Sequence, residues 1–119
     1  MQYVLLIYAS EAGWDALTPE EQAEGMRAYE NYGKWLTDKG WMRGGDPLTR
    51  TTEATSVRVR DGKTSATDGP FAETKEQLGG YYVIECDNLD QAIEAASKIP
   101  SLSRGSVEVR PIMEFEQPS

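Results

Sequence analysis

Seven consecutive apolar residues, Tyr3 to Ala9, give the first strand a reason to leave water on both sides. Side chains alternate across a strand, so Tyr3, Leu5 and Ile7 share one face while Val4, Leu6 and Tyr8 share the other. A strand of this kind is covered twice in the folded protein. The stretch Tyr81 to Cys86 repeats the demand, with Tyr82 and Ile84 pointing one way and Tyr81 and Val83 the other.

Against these strands the chain sets two long helical segments. Thr18-Pro19-Glu20-Glu21 is a capping box: a Thr N-cap, a Pro at the first helical position and a Glu three residues on. Met26, Tyr29, Gly33 and Leu36 then fall on one stripe, Ala28, Tyr32 and Trp35 on an edge-of-core stripe, and Gly40 marks the helix end. A second helix begins at Asn88, with Gln91 three residues later, places Leu89, Ala92, Ile93, Ala96 and Ile99 on one face, and stops at Pro100. Between the helices, Gly44-Gly45-Asp46-Pro47 reads as a turn. Ser56 to Arg60 reads as a half-exposed strand, and Asp61-Gly62 as a hairpin turn that returns Lys63 to Thr67 as a projecting arm. Asp68-Gly69-Pro70-Phe71 is a further turn, and Glu73 to Gln77 a helical turn broken by Gly79-Gly80. In the last strand Val107, Val109, Met113 and Phe115 alternate with Glu108, Arg110, Glu114 and Glu116.

This order predicts one α+β domain over residues 1–119, a ferredoxin-like split β-α-β sandwich with a hairpin extension. Two helices cover one face of a four-stranded sheet and leave the other. Bare apolar area forgoes about 25 cal/mol per Å², so the expected cover is a second copy, in a homodimer with sheets packed face to face. The alternative is that polar side chains and the hairpin fold over that face.

Twelve Lys and Arg against twenty Asp and Glu, a net charge of -8, argue against nucleic acid and anionic membranes as partners. The N-terminal apolar run follows no basic region and is far shorter than the ~20 residues of a membrane span. With a single cysteine, Cys86, the expected location is cytoplasmic. The absence of His removes a Ser-His-Asp triad and most zinc sites, and no Gly-rich phosphate loop follows a strand, so neither a metal nor a cofactor is expected.

Candidate site residues are correspondingly few. Asp68, in a Gly-Pro turn beside the sheet, is the candidate catalytic base if partly desolvated; as a turn acceptor it would be structural instead. Arg110 could hold a carboxylate bidentately, or pair with Glu108, Glu85 or Asp68. Tyr8 and Tyr29 could hydrogen-bond a small ligand between sheet and helix, against the plainer reading as core aromatics. Asp46 is a weaker ligand-binding candidate, read first as a turn residue. Glu73, Lys75 and Glu76 read as a solvated face.

The block Asp68-Gly69-Pro70-Phe71-Ala72-Glu73-Thr74-Lys75-Glu76-Gln77-Leu78-Gly79-Gly80-Tyr81-Tyr82, with Val107-Glu108-Val109-Arg110-Pro111, resembles the DGPF branch of the YCII-related proteins, most clearly from Met26 to Pro111. The resemblance implies a ferredoxin-like fold that dimerises as dimeric α/β-barrel proteins do. Shorter YCII-like members carry a His on the first helix and an Asp before a Pro after the second, proposed as an acid-base dyad. Here those positions hold Tyr29 and Ile99, so the dyad is not carried over. Two functional readings stand. One is a cofactor-independent small-molecule enzyme or ligand-binding domain. The other is an accessory or regulatory protein, linked to sigma-factor signalling through protein contacts because family members occur beside or fused to sigma factors.

Overall fold

A computed structural model describes residues 1–115; Glu116, the last residue of the predicted alternation, lies outside them. In chain order the elements are β1 (Gln2–Ala9), a short helix α1 (Glu11–Asp15), the long helix α2 (Pro19–Asp38), β2 (Met42–Pro47), β3 (Thr55–Arg60), β4 (Lys63–Asp68), β5 (Gln77–Glu85), α3 (Leu89–Ser97) and β6 (Gly105–Pro111). Single 3-10 turns lie at Thr51–Glu53 and Pro100–Arg104. Four strands form an antiparallel sheet in the order β2-β5-β1-β6, the split β-α-β arrangement.

The helix signals are realised at their ends. The Thr18 hydroxyl accepts from Glu21 N while the Glu21 carboxylate accepts from Thr18 N, and the Asn88 side chain accepts from Gln91 N. α2 closes in a Schellman arrangement, with Trp41 N donating to Leu36 O and Gly40 N to Thr37 O. Its inward stripe differs from the predicted one. Tyr32 and Leu36 are buried and Tyr29 and Trp35 half-buried, while Met26 is exposed. The stripe continues back through Gln22 and Gly25, where Gly25 receives the Trp14 ring of α1 and the Gln22 amide donates to Trp14 O. Polar and glycine residues thus occupy inward positions, which hides the stripe from hydrophobic periodicity. On α3 the buried residues are Ala92, Ala95 and Ala96, whereas Leu89 and Ile93 are exposed.

Gly44-Gly45-Asp46-Pro47 is strand rather than turn, because glycine here permits close approach instead of reversal. A Cβ on Gly45 would lie 2.7 Å from Tyr81 O and 2.8 Å from Tyr82 Cδ1, at a φ of 155° that L side chains rarely adopt. Pro47 is tolerated because β2 is an edge strand. β5 likewise begins at Gln77, and no helical turn forms at Glu73–Gln77. Gly79 is the extra residue of a bulge, since Ile7 pairs with Gly80 and Tyr8 with Leu78. β3 and β4 pair only with each other, joined by Asp61 and Gly62 at positive φ, so the arm is a separate two-stranded sheet. Met113 and Phe115 lie beyond the end of β6 and are exposed.

One core results. Tyr3, Leu5, Ile7 and Ile84 from the sheet meet Tyr32 and Leu36 of α2, the alanines of α3 and Ile99. The Tyr32 hydroxyl donates to Ala95 O at 2.7 Å, and burial pushes its pKa upward. The opposite sheet face, with Val4, Leu6, Tyr8, Tyr81 and Val83, is only half-buried. The arm does not fold over it, as every arm residue except Ser56 is exposed. With a smallest extent of 18 Å and a radius of gyration of 16.7 Å, against roughly 13–14 Å for a chain this long, the molecule is thin and spread. No helix among the described residues is long and apolar enough to cross a membrane.

Candidate functional site

Three segments converge beyond the paired ends of β1 and β5. Ser10 caps α1 as β1 ends, and Glu11 N donates to Gln77 Oε1 at 2.9 Å, fixing α1 to the start of β5. The Glu11 carboxylate accepts from Thr51 N (2.9 Å) and Thr51 Oγ1 (2.6 Å), drawing in the turn at Thr51–Glu53. Arg50 pairs with Asp15, and the Gln77 amide donates to Thr74 O at 2.5 Å. Ser106 adds a hydrogen bond to Glu76 at 3.1 Å.

Between these segments lies an open cleft of about 570 Å³ lined by Ser10, Glu11, Ala12, Asp15, Arg50, Thr74, Lys75 and Gln77. A second concavity of about 420 Å³ adjoins it, sharing Thr74 and Gln77 and walled by Gly69, Pro70, Ala72 and Glu73. The walls set hydroxyls, carboxylates, the Gln77 amide and two cations among the apolar Ala12, Pro70 and Ala72, with no aromatic ring. Such a lining suits a small polar molecule.

Thr51 sets the charge on the cleft wall. Its hydroxyl and then its backbone N–H hold the Glu11 carboxyl below its ordinary value of 4.5, so Glu11 is ionised through neutral pH. A depressed folded-state pKa contributes stability that is complete above the unfolded value and is lost as pH falls through the folded one. Glu11→Gln is therefore expected to be less stable than the parent by up to about 1 kcal/mol at neutral pH, and the gap to close below pH 4.5. Thermal melts of both proteins from neutral to acid pH check this; a gap that stays constant into acid would remove the ionised Glu11–Thr51 contact.

The sequence-selected residues do not gather in this cleft. Asp68 ends β4 one residue before the Gly69–Pro70 wall and is exposed rather than desolvated. Its loop is held by Gly69 N to Ala54 O and Ser56 Oγ to Gly69 O, not by its carboxylate. Tyr8, Asp46 and Arg110 share the open sheet face. There Asp46 stands in β2, correcting its reading as a turn residue, and accepts from the Tyr81 hydroxyl at 3.0 Å, which raises the Tyr81 pKa. Arg110 makes an exposed pair with Glu108 at 3.5 Å. Tyr29 lies on the other side of the sheet, its hydroxyl 2.5 Å from Ser101 Oγ. The residue at the family's His position, Tyr29, thus pairs with Ser101, two residues beyond the buried Ile99 that stands at the other dyad position. Missed altogether were Ser10, Glu11, Asp15, Arg50 and Thr51. Only Ser10, an N-cap type directly after a strand, carried a signal.

The family model described as "YCII-related domain" matches residues 1–116. An uncharacterised protein of Rhizobium meliloti (strain 1021) is 39% identical over 114 residues, covering 94% of this chain and 92% of its own. Among solved structures, the 5-chloro-2-hydroxyhydroquinone dehydrochlorinase of Burkholderia phenoliruptrix AC1100, in complex with 2,5-dihydroxybenzoquinone, superposes with a TM-score of 0.58 at 12% identity, covering 97% of this chain and 96% of that one. At that identity the likeness is one of fold.

Proposed function

From the premise that the chain belongs to the YCII-related family, we propose a small-molecule enzyme or ligand-binding domain that works as a homodimer through its open sheet face. The ligand would sit in the cleft between α1, Arg50–Thr51 and the segment from Gly69 to Gln77. One observation carries this reading: an ionised carboxylate, Glu11, is fixed in place on a cleft wall that also bears Lys75. A ligand with a hydroxyl and an anionic oxygen meets an acceptor on one side and a cation on the other. Thr51 lowers the basicity of Glu11, which suits it to accept hydrogen bonds rather than protons. Asp68, one residue before the Gly69–Pro70 wall, is the candidate base.

The test is a thermal-shift series with 2,5-dihydroxybenzoquinone, the compound held by the structural neighbour, and with short hydroxycarboxylates. A ligand at a hundred times its Kd adds about 2.7 kcal/mol of stability. Lys75→Ala and Asp68→Asn are expected to lose that gain while melting like the parent without ligand. The exposed Val57, Val59 and Phe71 favour a second reading, an accessory protein acting through protein contacts. Mass spectrometry of the purified chain that finds a stoichiometric protein partner and no small molecule would decide for that reading.

A further inference from the structure

We infer that the β3–β4 arm is a clasp for a second copy of this chain, and that seating it fixes the Gly69–Pro70 wall of the cleft; this deepens the homodimer reading, on which it rests. The arm is two paired six-residue strands, about 20 Å long at the usual rise per residue. A lone two-stranded hairpin is at best marginally stable in water, so its exposure in a single copy calls for cover.

The arm has two unlike sides. Val57 and Val59, 63% and 61% exposed, lie on one side with Ala66 and Thr64 opposite them. Arg58 and Arg60 lie on the other with Ser65 and Lys63. Charge selects the occupant. Residues 55–68 hold three basic and two acidic side chains, net +1, which leaves the rest of the chain, nine basic against eighteen acidic, at -9. An apolar, basic arm is thus drawn to the acidic body of another copy and repelled by another arm. That body offers the half-buried Val4, Leu6 and Val83 of its open sheet face. A reciprocal exchange of two arms satisfies a twofold axis.

The root of the arm ties this contact to the cleft. Gly69 N donates to Ala54 O at 2.6 Å, Ser56 Oγ to Gly69 O at 2.8 Å and Arg58 Nη2 to Phe71 O at 3.4 Å. Those bonds join the β3 side of the arm to the loop that walls the second concavity, and β4 runs directly into that loop. Seating the arm therefore holds that wall in place.

Sedimentation of the full chain over a range of concentrations tests the clasp. Val57→Asp/Val59→Asp is expected to raise the dimer Kd at least about tenfold. Both side chains are exposed in one copy, so the circular dichroism and the dilute-solution melt should match the parent. Arg58→Glu/Arg60→Glu should weaken the dimer too and abolish the salt sensitivity expected of the parent. Two dimers with unchanged Kd would overturn the clasp and leave the sheet-face dimer standing. A parent chain that sediments as a monomer throughout overturns both, whatever other protein it captures.

Discussion

Leu5→Ala lowers the melting temperature by roughly 8–20 °C, the fall expected when about 2–5 kcal/mol leaves a chain of this size. Leu5 is fully buried at the middle of β1, paired with Tyr82 on one side and Val109 on the other. Among the described residues, the core it joins has only two other large side chains buried as completely, Leu36 and Ile84. Much of its helix side is built of Ala92, Ala95 and Ala96, whose methyl groups have no rotamers with which to fill a hole. Collapse into the cavity is therefore limited, and the upper half of the range is expected. Leu6, the next residue, is half-buried on the open face. Leu6→Ala should cost less in dilute solution, and its larger effect should appear in self-association. Both melts are run at one fixed concentration, since association itself adds stability. Equal falls for the two variants would mean that the core does not lie on the Leu5 face.

The same two-faced strands explain why the fold was legible in the sequence while the cleft was not. Tyr3 to Ala9 and Tyr81 to Cys86 announced the two central strands of the sheet, and Thr18, Asn88 and Pro100 announced where the helices begin and end. Those signals are local chemistry, and they survived folding. The errors fell where glycine serves a neighbour instead of its own backbone. Gly45 lets β2 pass against Tyr81, and Gly79 is the bulged residue of β5, so β2 looked like a turn and the first residues of β5 like the end of a helical turn. The cleft is non-local in the same way. Glu11 and Thr51 are 40 residues apart, Glu11 and Gln77 are 66 apart, and neither pair has a spacing that a periodicity could reveal. Asp68, chosen as a carboxylate in a Gly-Pro turn beside the sheet, stands exposed at the root of the arm.

Gly105→Ala is expected to lower the melting temperature by at least about 4–12 °C, from the roughly 1–3 kcal/mol that overpacking costs. Gly105 opens β6 and pairs with Ala9 at the end of β1. A Cβ there would collide with Tyr8 O and lie 3.0 Å from Ala9 Cα, and backbone cannot swing aside as a side-chain tip can. Relief requires the two strands to part where β1 runs into α1. Ser106, the next residue, holds Glu76 beside the Gln77 that both concavities share, so parting the strands also displaces the cleft wall. The variant should accordingly lose ligand-induced stabilisation along with intrinsic stability. Gly79→Ala is the matched control: it adds the same methyl group in the same sheet, its Cβ meets nothing within 4 Å, and its melt should stay within about 0.5 kcal/mol of the parent. If Gly105→Ala melted like Gly79→Ala, β6 would not lie against β1 as closely as its register requires, and Ser106 would no longer tie the last strand to the cleft.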